Sequence, residues 1–220
     1  MTILGIETSD DFVGVGIADK TGIPISRAAS SENRNKNLLH KFMEDTLDIA
    51  GKAFSDIDGV SVSLGPGSFT GLRVGLAAAK GICWSKNIPL AGILSTEVII
   101  ESLPPIGEKL IAVKDARRSE YYYGGFEGDG LKWNRIFPDK TGVLDDIMEL
   151  LSRGYKIVGR RDQLKKSGIP GESILDYNPD DLGGIVARLG RNRLLENKKL
   201  DISSAAPQYI RNPGMGKAGS

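Results

Sequence analysis

Histidine and cysteine are almost missing from this chain of 220 residues, which has one of each, His40 and Cys83. A lone cysteine excludes an internal disulfide, and its place inside a helical apolar pattern fits a reducing compartment. There is no cluster of Cys and His with zinc spacing, so histidine-based metal chemistry within one chain has nothing to build on. His40 has polar neighbours at helical spacing and no evident carboxylate orienter, and it reads as a solvated helix residue. An excess of charge is missing too. The 29 basic and 28 acidic side chains nearly cancel, so no global field draws the chain to nucleic acid or to a membrane surface, and any RNA contact must be local or shared with a partner. Long apolar runs are also lacking. Residues 1–6 meet Glu7 after a few apolar positions, so neither a signal peptide nor a membrane span is expected, and the expected location is the cytoplasm.

Glycine is plentiful, at 28 residues, beside a hydrophobic content of 40% that is enough for one large domain or two compact lobes. Gly65-Pro66-Gly67-Ser68-Phe69-Thr70-Gly71 joins an apolar, β-branched run at 59–64 to a stretch of helical spacing at 70–85. The turn therefore sits at the mouth of a sheet. Its free amides at a helix start suit a phosphate or carboxylate. Equally, Ser68 or Thr70 caps the helix and the turn is structural. Three related motifs fail. A P-loop needs Lys then Ser or Thr after its last glycine, where Leu72 and Arg73 stand; a nucleophile elbow needs glycines where Pro66 and Thr70 flank Ser68; and the dinucleotide fingerprint meets Thr70 in place of its third glycine.

Along the chain, residues 2–7, 12–18 and 23–28 read as three strands of an antiparallel meander. In the second, Gly14 and Gly16 share one face, which predicts close approach by another element or a ligand, with weak packing alone as the alternative. A helical stripe at 38–50 ends at Gly51. The strand at 59–64, the glycine turn, the helix to 85, a strand at 89–94 and a helix at about 96–103 follow. A meander and then alternating helix and strand match the order of a ribonuclease H-like lobe. Leu103-Pro104-Pro105-Ile106-Gly107 marks the lobe boundary. Beyond it come a strand at 110–114, a hairpin around Gly128-Asp129-Gly130, a helix at 142–152, and a helix capped by Asn178 with Pro179 at its first position. Residues 212–220 are expected to be disordered.

Taken in order across nearly the whole chain, four segments resemble the TsaB (YeaZ) family. They are Ile6-Glu7-Thr8-Ser9; the glycine turn continuing Leu72-Arg73-Val74-Gly75; Asp115-Ala116-Arg117 followed by Glu120-Tyr121; and Pro207-Gln208-Tyr209-Ile210-Arg211. The glycine string is specific by itself, and the others persuade by order and spacing. The resemblance implies an α/β chain with an actin-like (ASKHA) fold, two ribonuclease H-like lobes of mixed β-sheets covered by helices, expected at 1–103 and 104–220. It also implies a non-catalytic scaffold or dimerisation subunit in the synthesis of N6-threonylcarbamoyladenosine in tRNA. Such a subunit pairs with and activates a TsaD-type paralogue, works with a TsaE-type ATPase, meets tRNA through the complex and forms a homodimer when alone. TsaD is longer and holds a metal with paired histidines, which this chain cannot supply. Residues 32–36 lack the histidine that many TsaB sequences carry there.

The expected partner interface is Leu39 and Met43 on the first long helix with Leu72, Arg73, Gly75, Leu76, Ala79 and Lys80 on the second. Arg73 and Lys80 share a face, which meets a partner's phosphate or carboxylates or is simply solvated; Gly71, Gly75 and Ala79 form a small-residue stripe that admits a partner helix or packs on the chain's own sheet; and Leu72, Leu76 and Cys83 form an apolar row. Glu7, Gly67, Ser68, Thr70 and Asp115 are the expected contacts for a nucleotide or anion. No cofactor is required, with ATP or ADP and magnesium at an interface as the variant. Glu7 and Asp115 either make structural hydrogen bonds or serve an actin-like ATPase or phosphotransferase, the rival reading. Arg117 stands where that chemistry wants a glycine. An endopeptidase lacks a credible nucleophile and base pair.

Overall fold

The computed structural model describes residues 1–21, 24–30 and 38–210. The stretch 32–36 and the tail 212–220 lie outside them. The chain divides into two units, one of Met1–Ser102 with Asn178–Pro207, the other of Leu103–Tyr177 with Gln208–Ser220.

The first unit is built on a sheet ordered β3-β2-β1-β4-β5, from β1 (Ile3–Glu7), β2 (Phe12–Ala18), β3 (Ile25–Ser30), β4 (Gly59–Gly65) and β5 (Leu90–Leu94). The first three form the expected antiparallel meander, with Ile6 opposite Val15 and Val15 opposite Arg27; β4 and β5 add in parallel, with Ile3 opposite Gly59 and Val60 opposite Leu90. Alternation sends Leu4 and Ile6 to one face and Ile3, Gly5 and Glu7 to the other. On the first face, Leu4, Ile6, Val15, Val60 and Val62 share a core with Phe42, Met43 and Leu47 of α1 (Leu38–Ile49) and Leu76, Ala79 and Cys83 of α2 (Phe69–Lys86). A short helix, α3 (Ser95–Ile100), follows β5.

The opposite face is lined by Gly5, Gly14 and Gly16, and a helix fills it. A Cβ on Gly16 would lie 2.2 Å from the amide nitrogen of Gly184, and one on Gly5 would lie 2.4 Å from the carbonyl oxygen of Gly183. Both partners belong to α6 (Leu182–Leu195), which the 3-10 turn Pro179–Asp181 precedes, with the Asn178 side chain accepting from the amide of Asp180. Glycine on strand and helix lets the two backbones approach to a distance no Cβ permits. Two ion pairs, Arg188 to Glu101 at 2.9 Å and Arg193 to Glu97, tie α6 to the start and end of α3, and Leu200 donates its amide to Leu90 at 2.8 Å on the β5 edge. Residues 178–207 therefore pack with the first lobe, and the expected second lobe of 104–220 is corrected on that stretch: the glycine-lined sheet face takes a helix that lies far away in sequence.

The second unit has a sheet ordered β10-β9-β6-β7-β8, from β6 (Lys109–Arg117), β7 (Glu120–Gly128), β8 (Trp133–Val143), β9 (Lys156–Val158) and β10 (Ile174–Leu175), with α4 (Leu144–Ser152) and α5 (Arg161–Lys166). The expected hairpin is present. Asp129 Oδ1 accepts from the amides of Leu131 and Lys132, both at 2.9 Å, and Oδ2 accepts from Asn134. These bonds, that to Lys132 foremost, hold the Asp129 carboxyl down at about 2. Tyr121 and Tyr123 are buried with Ile147, Leu150, Ile157 and Leu164, while Tyr122 is half-buried.

The glycine turn and the outer face of the second helix

The glycine turn is clamped onto the end of β1. Ser68 donates its amide to the Ser9 carbonyl at 2.9 Å. A Cβ on Gly67 would stand 2.0 Å from that same oxygen, one on Gly71 2.0 Å from the carbonyl oxygen of Thr8, and one on Gly75 2.2 Å from Thr8 Oγ1. The bare sides of these glycines are occupied by residues 8 and 9 of the chain itself. Gly65 takes φ 109°, a conformation open to glycine, and the bond to Pro66 is cis. Ser68 is the N-cap of α2, its Oγ accepting from the Gly71 amide at 3.2 Å, and Thr70 lies exposed in the first turn.

Glu7, 1% exposed, has both oxygens engaged: Oε1 accepts from the Ser9 amide at 2.6 Å and Oε2 from the Ser63 hydroxyl. A buried carboxylate held by neutral donors of its own chain fixes the β1–β2 turn against β4. Asp115 lies two residues before the end of β6 in the other unit, where its Oδ1 accepts from the Arg117 amide at 2.7 Å and the Arg117 guanidinium stands 3.9 Å from Oδ2. Arg117, Arg118 and Ser119 follow one another with φ of 67°, 57° and 61°. The hairpin that wants glycine is made by three residues with side chains in the left-handed region. Among the described residues no group of three or more His, Cys, Asp or Glu is placed to hold a metal ion, and no helix is long and apolar enough to cross a membrane.

Of the expected interface residues, Leu72, Gly75, Leu76 and Ala79 face inward. Leu72 is 1% exposed, Leu76 5% and Ala79 not at all, and Leu76 and Ala79 pack in the core of the first unit with Met43 of α1. Leu39 is half-buried against the same core. Lys80 donates to the Ser203 carbonyl at 3.3 Å, which ties α2 to the segment that follows α6. Arg73 is exposed, with its guanidinium 3.8 Å above the Phe69 ring. The outward face of α2 is made of other residues: Thr70, Val74, Ala77, Gly81 and Trp84, with Val74 51% and Trp84 74% exposed. A Cβ on Gly81 would meet nothing within 4 Å. Sequence reading missed this face because α2 is apolar nearly all round, and the inward row has the same residue types as the outward one. Trp84 was the available signal, as a large aromatic off the apolar row.

Beside that face, α1 and α2 frame a pocket of about 440 Å³ with Met43, Leu47, Phe54 and Ile82 among its walls and His40, Glu44, Asp48 and Lys52 around it. His40 does have a carboxylate neighbour, Glu44 Oε1 at 3.3 Å one turn on, and both are exposed. Cys83 is fully buried, and burial pushes its thiol up to about 11, so it is kept neutral and unreactive.

A family model described as TsaD: tRNA N6-adenosine threonylcarbamoyltransferase matches residues 28–178. The chain is 25% identical over 224 residues to the tRNA threonylcarbamoyladenosine biosynthesis protein TsaB of Bacillus subtilis, covering 96% of this chain and 94% of that one. It is 24% identical to the protein of the same name from Escherichia coli, covering 96% and 95%. Among solved structures, YeaZ from Pseudomonas aeruginosa superimposes with a TM-score of 0.73 at 19% identity, covering 94% of this chain and 99% of that one. The fold is thus the actin-like one expected, with mixed sheets covered by helices.

Proposed function

The chain belongs to the family of TsaD, tRNA N6-adenosine threonylcarbamoyltransferase, as one of its TsaB (YeaZ) members, and from that premise we propose that it is a scaffold subunit of tRNA threonylcarbamoyladenosine synthesis without chemistry of its own. The observation that carries the reading is the outer face of α2, where Val74, Ala77 and Gly81 present a smooth apolar strip with open space above Gly81. Small residues on an exposed helix let a second helix approach closely, and an apolar strip without such a partner gains nothing from staying in water. A TsaD-type paralogue, itself actin-like, is the partner; a second copy takes its place when the chain is alone, and a TsaE-type ATPase joins the pair.

The reading without chemistry of its own is supported at the other end of the helix, where residues 8 and 9 pack against the glycines of the turn and Glu7 accepts from Ser9 and Ser63. ATP or ADP with magnesium, if bound in the complex, is held chiefly by the partner. The test is threonylcarbamoyl transfer to tRNA by this chain alone, by a TsaD-type partner alone and by both. Transfer only with the partner, and faster with both, supports the proposal; transfer by this chain alone overturns it.

A further inference from the structure

On the flank of α2 away from α1, a groove of about 730 Å³ opens between the end of that helix, the end of α6 and the segment beyond it, and its walls include Trp84, Asn87, Asn197, Lys199 and Ser203. Trp84, 74% exposed, gives it a flat aromatic wall. Asn87 and Asn197 end their helices in the left-handed conformation, φ 52° and 60°, which carries both side chains clear of the helix ladders. Among the described residues the side chains of Asn87, Asn197 and Lys199 have no partner. Asp201 is the one carboxylate on the wall, and it is turned back onto its own segment, accepting from the Ser203 and Ser204 hydroxyls at 2.8 Å and from the Ser203 amide at 3.0 Å.

We propose that this groove holds an unstacked base of a single-stranded RNA, with the base stacked on Trp84, its edge read by Asn87 and Asn197, and the adjoining phosphate met by Lys199. An indole face takes any base by stacking, a carboxamide offers a donor and an acceptor that match the mixed edge of a base, and an ammonium group pairs with phosphate as a point charge. The rest of the lining is apolar, with Ile88, Pro89, Leu194, Leu200 and Ile202, which suits the faces of a base, whereas a wholly apolar protein partner would desolvate two amides and a lysine without returning hydrogen bonds. The near-zero net charge of the chain is no obstacle. Arg188, Arg193 and Lys198 are paired with Glu101, Glu97 and Glu196, so among the described residues Arg191 and Lys199 are the cations of this stretch left to meet a phosphate, and the site relies on stacking more than on a basic field. The choice of RNA over other nucleic acid rests on the proposed function; the stacking site itself does not.

The full-length chain, without partners, is titrated with a short single-stranded oligoribonucleotide while tryptophan fluorescence is followed. Only two tryptophans are present, and Trp133 is half-buried with its Nε1 donating to the Leu103 carbonyl at 3.0 Å, so the part of the quenching that is lost in Trp84→Ala reports Trp84. Saturable quenching is expected. For parent and variants alike the affinity is read independently from the anisotropy of a dye-labelled strand: Trp84→Ala should weaken binding about tenfold or more, as loss of one stacked base does, and Lys199→Glu should weaken it and lower the salt slope by roughly one. Both side chains are exposed, so circular dichroism should show an intact fold. The proposal is overturned if no saturable quenching occurs up to millimolar strand, if both variants bind like the parent, or if a duplex binds as well as the single strand. Transfer assays with the TsaD-type partner address the scaffold role separately, so either proposal can fail alone.

Discussion

Glycine does opposite work at two positions of the first unit. At Gly16 a methyl group would be driven into the backbone of α6, 2.2 Å from the Gly184 nitrogen, where no side-chain rotation relieves it. Gly16→Ala should therefore cost about 2–3 kcal/mol, the range of an overpacked core, read as a lower urea midpoint at unchanged slope. At Gly81 the added methyl meets open space inside a helix, and Gly81→Ala should raise stability by about 0.5–1 kcal/mol through helix propensity. A midpoint that moves the same way for both would contradict this placement. The sequence already marks Gly14 and Gly16 as one bare strand face, because alternation is local. Which of a ligand or an element covers that face depends on residues 183 and 184, and no local pattern connects them.

Among the elements, α2 is the one whose limits are legible and whose orientation is not. Ser68 as N-cap and the apolar spacing give the helix, but with rows of Leu and Ala on one side and Val, Ala and Trp on the other, Thr70 and Arg73 in its first turns are too few to mark the outward side. A charge placed at Leu76 enters the core and unfolds the first unit, whereas a charge at Val74 is solvated in the free chain. The short elements β9, α5 and β10 escape sequence reading altogether, since strands of two or three residues and a six-residue helix offer less than one period of pattern. The β7–β8 turn is legible from Gly128-Asp129-Gly130, and its chemistry gives a pH dependence. With the Asp129 carboxyl held at about 2, below the ordinary 3.8, the turn keeps its bonds above pH 3.8 and loses that contribution as pH falls through 2. The Leu131 and Lys132 amide resonances should shift with a midpoint near 2; a midpoint near 4 would show that Asp129 does not hold the turn.

For the whole molecule, the order of strands and helices is enough to read an actin-like lobe, and the four motif segments are enough to place the chain with TsaB. The reach of the first lobe is not. Its sheet is completed by α6 and closed at the β5 edge by Leu200, so the chain returns to the first lobe after building the second. Near-neutral net charge supplies no long-range field to draw in a partner, so its selection is assigned to shape and apolar area. The central claim is that the exposed strip on α2, and no reacting group, is what this chain brings to tRNA modification. Its most direct test is the affinity of the purified chain for a TsaD-type partner, parent against Val74→Arg, with circular dichroism as the control for folding. A fall of about a hundredfold, the order expected for burying an unpaired charge in an apolar contact, is predicted with the spectrum unchanged. Equal affinity in a folded variant would remove α2 from the interface and contradict the account.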